Sequence, residues 1–286
     1  MLYLSSSSVK KEKISEVLQV CGAYGINNIE LSGGTKYYAE VMDDLRRWKE
    51  TNNFQYAFHA YFPPPEQDFV VNLASCNDMI YQRSMQHYFE CIDKMAALDC
   101  HVLSLHAGFL VEVDVEHIGR EIEANVIYDK KEAVERFCDA YERIAKKAAE
   151  KQITLYLENN VLDEGNYTRF QKNNYFLMTD YESIKELKDV LNFNLLLDLG
   201  HLHVSCHTLG LNYFEEITKL KKYVKWIHLS ENNGLLDQHK ILTLDSSVYK
   251  AFLELVQPET DVTLEVKGEL EEVISNYNWV KTLLPD

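Results

Sequence analysis

At 286 residues with 46% hydrophobic and 26% charged side chains, the chain has enough apolar surface for a large buried core, which excludes a disordered or low-complexity protein. The net charge of −16 disfavours nonspecific binding to a nucleic-acid backbone, although clustered carboxylates that bind cations also inflate the negative count. No run approaches the ~20 apolar residues of a membrane helix, and the opening MLYLSSSSVKKEK is too briefly apolar for a secretion signal. The six cysteines (Cys21, Cys76, Cys91, Cys100, Cys138 and Cys206) have no CxxC pairing, so a cytoplasmic protein with reduced thiols and no membrane contact is expected.

Short apolar runs alternate with longer amphipathic stretches along the chain. In order, the pattern predicts strands at 2–5, 28–31, 54–61 and 102–108, with helices following near 11–24, 38–50, 78–98 and 131–150. It continues with strands at 153–158, 195–198, 224–229 and 262–266, and helices near 180–190, 212–222, 246–256 and 269–283. Asp180 and the Asp245-Ser246-Ser247 run are suitable helix N-caps. Runs such as NLLLD and VKWIHL are apolar on both faces, as parallel strands covered by helices must be. Eight such units in strict alternation, with no linker or shift in composition, predict a single α/β domain over residues 1–286, a (β/α)8 TIM barrel. The GxGxxG and P-loop signatures are absent, which argues against a Rossmann or P-loop nucleotide site.

In such a barrel the active-site groups stand at the C-terminal strand ends. The third strand closes with His59, the fourth with His106, the fifth with Glu158, and the sixth with Asp198 followed by His201. The seventh carries His228, with Asp237 and His239 in the next loop, and the eighth closes with Glu265. One strand-end histidine is more often a hydrogen-bonded structural residue than a ligand, and one carboxylate is often a helix cap. Repeated over six consecutive strands, that explanation fails. Carboxylates and histidines crowded at one mouth repel or desolvate one another unless a cation joins them, so a divalent-metal site is expected. By contrast, His87, His101 and His117 suit surface or structural roles, and His203 and His207 suit outer or solvent roles. Pro63-Pro64-Pro65 reads as a rigid loop.

The ordered set LENN, LDLGH, IHLSEN and LEVKG resembles the xylose-isomerase-like TIM-barrel superfamily over nearly the whole chain. That superfamily includes sugar isomerases, sugar epimerases and endonuclease IV. The resemblance to its epimerases implies one metal on Glu158, Asp198, His228 and Glu265, with His201 on the substrate. The resemblance to endonuclease IV implies three zinc ions, with His59, His106, His201, Asp237 and His239 added as ligands. Two departures count. The arginine that epimerases usually carry shortly after the seventh-strand histidine is missing from ENNGLLDQH, and the second loop, SGGTKYYAEVMDD, where endonuclease IV carries basic and aromatic residues that grip DNA, has one lysine and then acids.

The first expectation is therefore a divalent-metal-dependent sugar or sugar-phosphate isomerase/epimerase that moves a proton through a metal-stabilised enediolate. Glu158 and Glu265 would be its base and acid, with His201 orienting the substrate. The alternative is an endonuclease IV-like multi-zinc phosphodiester hydrolase, an AP endonuclease. Zinc or manganese, one to three ions per chain, suits the imidazole and carboxylate ligands. A small-molecule partner is expected ahead of nucleic acid. Tyr61, Arg169 and Lys267 are candidate substrate contacts. Residues 159–176, with Arg169 and Lys172, form either a lid touching an acidic substituent or a plain solvated loop.

Overall fold

The computed structural model describes residues 1–117, 122 and 126–285. Strands β1 (Leu2–Ser5), β2 (Asn28–Leu31), β3 (Gln55–His59), β4 (Val102–His106), β5 (Thr154–Glu158), β6 (Asn194–Asp198), β7 (Val224–Leu229) and β8 (Asp261–Leu264) are parallel. They close into a barrel in sequence order, as the alternating pattern predicts. Around it lie α1 (Ile14–Ala23), α2 (Val41–Asn52), α3 (Asp78–Ala97), α4 (Lys130–Glu150) and α5 (Glu164–Arg169). The second half adds α6 (Tyr181–Val190), α7 (Leu199–Leu209), α8 (Tyr213–Leu220), α9 (Ser247–Leu255) and α10 (Leu270–Lys281). Asp180 and Ser246 accept from Ser183 N and Tyr249 N, so both expected caps start their helices. Among the described residues no helix is long and apolar enough to cross a membrane.

Strand side chains alternate between two environments, as the two-residue period requires. Leu4, Ile29, Phe58, Leu103, Leu157, Leu197, Ile227 and Leu264 join the large core between sheet and helices. Tyr3, Ala57, Leu196 and Trp226 instead pack together as a plug inside the barrel, with Val102 and Tyr156 against it. Two residues further along the same strands come Ser5, His59, Ser104, Glu158, Asp198 and His228, all buried. The plug is thus the floor of a polar layer at the mouth.

The structure differs from the sequence expectations at several places. The third strand stops at His59 rather than at 61, because Tyr61 turns to a φ of 72° and leaves the extended path, and the fourth stops at His106 rather than at 108. The sixth strand is followed by two helices, not one. Helix α7 is buried on almost every side, so its sequence LGHLHVSCHTL lacks the polar stripe that marks an amphipathic helix. Finally, residues 159–176 are not a plain solvated loop: they contain α5, and Phe170, Tyr175 and Phe176 pack with Phe109, Val111, Val113 and Ile122 from the loop after β4.

Candidate metal centre

The barrel register brings the strand-end residues to one level. His106 pairs with Glu158 across β4 and β5, and Asp198 with His228 across β6 and β7. Asp198 has two tasks at once. Its Oδ1 caps α7 by accepting from His201 N at 2.7 Å, while its Oδ2 faces the mouth without a hydrogen bond. Asn159 fixes this corner by accepting from Asp198 N at 2.7 Å and donating to Asp198 O at 3.1 Å. Gly200 is needed for the close approach of α7 to β7, since a Cβ there would lie 3.0 Å from Asn232 Nδ2 and 3.2 Å from Asp198 Oδ1.

The nine expected ligands fall into three adjoining groups. In the first, Glu158 Oε2 lies 3.3 Å from both His59 Nε2 and His106 Nδ1. In the second, Glu158 joins Asp198 and His228, whose ligand atoms lie within 4.8 Å of one another. There His228 Nδ1 is 3.4 Å from Glu158 Oε1 and 3.2 Å from Glu265 Oε2. In the third, Asp237 Oδ2 lies 3.4 Å from His201 Nε2 and 2.9 Å from His239 Nε2. Glu158 belongs to the first two groups and also approaches His201 Nδ1 at 3.5 Å.

Hydrogen bonds on the far side of the rings decide which nitrogens are available. His201 Nδ1 donates to Asn159 O at 2.9 Å, and His239 Nδ1 donates to Glu265 O at 3.2 Å. A carbonyl can only accept, so each neutral ring keeps its lone pair on the Nε2 that faces Asp237. Similarly, Ser104 Oγ spends its hydrogen on Phe58 O and takes one from His59 Nδ1 at 2.7 Å. The lone pair is then on His59 Nε2, which lies 3.2 Å from His106 Nε2 and 3.3 Å from Glu158 Oε2. Buried Glu158 Oε2, Asp198 Oδ2, Asp237 Oδ1 and His228 Nδ1 have no hydrogen-bond partner. Lone pairs converging in this way in a buried place need protons or a cation. The donor set of imidazoles and carboxylates therefore fits divalent zinc or manganese.

Without a cation, protons take its place. Burial pulls the His228 imidazole down, but the Glu30 and Glu158 carboxylates outweigh it and hold the ring well above its usual range. His201 is likewise raised against its burial by Asp198 and Asp237. Burial pushes the Asp198 carboxyl up to about 6, with Glu158 and Asp237 adding to this against the pull of His201. Glu265 and Asp237 stay well below the carboxylate range despite burial, because His228 and His201 respectively face them.

None of the three expected substrate contacts belongs to a ligand group. The Tyr61 hydroxyl is turned to its own loop, donating to Asp68 at 2.8 Å and accepting from Phe69 N at 3.0 Å. Arg169 is exposed in the last turn of α5. Lys267 is exposed just past β8, where its N–H donates to His239 O at 2.6 Å. His203 bonds Asn232 Oδ1 through Nδ1 at 2.9 Å, and its ring lies tilted against that of Tyr213. Sequence reasoning misses one site residue. Glu30 on β2 is 1% exposed, and its Oε1 is 2.8 Å from His228 Nε2. The available signal is a lone carboxylate inside the apolar run NIEL, one residue before the strand end.

No curated protein matches the chain by sequence. Among solved structures, a D-tagatose 3-epimerase-like protein superposes with a TM-score of 0.72 at 17% identity, covering 99% of this chain and 96% of that one. The IOLI protein with a binding zinc atom gives 0.67 at 15% identity, covering 98% and 96%. Endonuclease IV from Thermus thermophilus gives 0.60 at 16% identity, covering 99% and 98%. At these identities the likeness shows the fold. A family model described as xylose isomerase-like TIM barrel matches residues 18–279, and with it the chain belongs to that family.

Proposed function

We propose that the barrel mouth holds a cluster of divalent ions and hydrolyses a phosphate ester. The observation that carries this reading is the third group. His201, Asp237 and His239 aim two Nε2 atoms and one carboxylate oxygen at each other, with both Nδ1 atoms tied to backbone carbonyls. A proton-transfer enzyme using one ion has no need of such a group. When bound, the ions supply Lewis-acid charge that activates water and stabilises charge developing on attacking and leaving oxygens. Glu158, shared by two groups, fixes their spacing, while Asp198 and Asn159 hold the β6 corner rigid. The plug beneath closes the barrel floor, and the packed loops after β4 and β5 flank the mouth. Lys267, tied to the His239 loop, and Arg169 on α5 are proposed to meet acidic groups of the substrate. The net charge of −16, and a loop after β2 with a single lysine, favour a small phosphate ester over a DNA duplex.

A second reading, sugar isomerisation or epimerisation on one ion, is favoured by the placement of Glu158 and Glu265, at 3.4 Å and 3.2 Å from His228 Nδ1. There they would serve as the two proton-transfer groups. One pair of assays separates the readings. Zinc- or manganese-loaded protein is expected to cleave bis-p-nitrophenyl phosphate in a Glu158-dependent way. Solvent deuterium entering ketoses or their phosphates, with no ester cleavage, would sink the hydrolytic proposal.

A further inference from the structure

We infer that Glu30 is a positioning residue that selects which nitrogen of His228 takes an ion, and that it acts from the floor of the site. This rests on the metal centre proposed above. The chain of contacts begins in the apolar plug. Trp226 Nε1, which can only donate, gives its hydrogen to Thr263 Oγ1 at 2.9 Å. The single hydroxyl hydrogen of Thr263 then goes to Glu30 Oε2. The carboxylate is thereby fixed in orientation and presents Oε1 upward. That atom accepts no hydrogen bond and lies at ion-pair distance, 2.8 Å from His228 Nε2 and 3.4 Å from His59 Nδ1. A carboxylate oxygen this close repels a lone pair on Nε2 and so favours the hydrogen on that nitrogen. The lone pair stays on Nδ1, which faces Glu158 and Glu265. His59 has Ser104 as its nearer partner at 2.7 Å, so it feels Glu30 as a second, weaker anion. His201, Asp237 and His239 have no such contact with Glu30 among the described residues; their far nitrogens are held by backbone carbonyls.

The consequence is selective. Removing Glu30 should weaken the ion on His228 by about 10- to 100-fold, as loss of an outer partner of a ligating histidine does. The His59 ion should weaken less, and the His201–Asp237–His239 ion should be unchanged. The test is a zinc titration of the full chain against a chromophoric chelator, for wild type, Glu30→Ala and Glu30→Gln, with visible spectra of the cobalt-substituted proteins. The expected result is graded loss at two ions, partial rescue by Gln (which keeps an acceptor oxygen), and cobalt bands that shift without loss of intensity per bound ion. If Glu30→Ala does not fold, Thr263→Val, which frees the carboxylate but keeps it, should give a smaller loss at the same ion. Equal affinities in wild type and all variants would overturn the inference while leaving the metal centre standing. Disappearance of one whole cobalt site in both Ala and Gln variants would make Glu30 a direct ligand and overturn the positioning role. Wild type that binds no zinc at all would instead remove the reading on which the inference rests.

Discussion

The inside of the barrel holds two layers that differ only by a step of two residues along the same strands. Below, Tyr3, Ala57, Leu196 and Trp226 form an apolar plug with Val102 and Tyr156. Above, Ser5, His59, Glu158, Asp198 and His228 are as deeply buried but polar or ionisable. The lower layer gains stability from removing apolar surface from water, at roughly 25 cal/mol per Å². The upper layer gains none in that way, and its like charges and unpartnered lone pairs weaken the fold unless protons or a cation join them. One scaffold thus separates stability from chemistry across a distance of two residues. Thr263, which receives Trp226 from below and gives to Glu30 above, is the seam between them.

The contrast can be broken most severely at Glu158. Glu158→Gln removes the carboxylate shared by two ligand groups, and activity should fall by more than the ~100-fold that an outer partner costs. Initial rates with the metal-loaded protein check this. Leu196→Ala cuts the plug instead and should cost about 2–5 kcal/mol of stability by leaving a cavity. Metal content of the folded protein should stay at the wild-type value, and chemical denaturation with elemental analysis checks both halves. Metal loss from Leu196→Ala at full occupancy of the fold would show that the layers are not separable.

A subtler separation appears with pH. In metal-free protein the raised His201, His228 and His239 imidazoles contribute stability that is fully present below their ordinary value of 6.5 and fades as pH rises through their higher folded values. Asp198, raised to about 6 from 3.8, works in the same direction, since ionising it in place weakens the fold. Glu158, Asp237 and Glu265, held low, contribute stability above the ordinary carboxylate range that is lost only as pH falls well below it. Ion binding needs these histidines unprotonated, so the gap in melting temperature between metal-loaded and chelated protein should widen from pH 5.5 to 8.5. A gap independent of pH would contradict the ligand set. The smallest effect belongs to the rim: Lys267→Ala should raise KM several-fold for an anionic substrate and leave metal content unchanged.

Much of this architecture is readable from the chain because a parallel barrel imposes a simple rule: strands apolar on both faces, chemistry at their C-terminal ends. Glu158, Asp198, His228 and Glu265 stand out by that rule, and the register sets Asp198 beside His228 and His106 beside Glu158. Glu30 escapes it because it lies inside the strand, where a carboxylate in NIEL looks like the polar face of an ordinary β-strand. Only the barrel's curvature turns it toward His228. Helix α7 escapes because amphipathicity is the sequence signature of a helix, and a helix buried on most sides has none. The position of Tyr61 just after His59 suggests a substrate contact, yet a left-handed turn sends its hydroxyl to Asp68. Such a reversal depends on local backbone geometry that residue spacing does not encode.

The central claim is that the polar layer is built for several ions, and metal stoichiometry tests it most directly. Elemental analysis of protein saturated with zinc and freed of excess should give three ions per chain, and Asp237→Ala should bind one fewer. One ion per chain, unchanged by Asp237→Ala, would contradict the account.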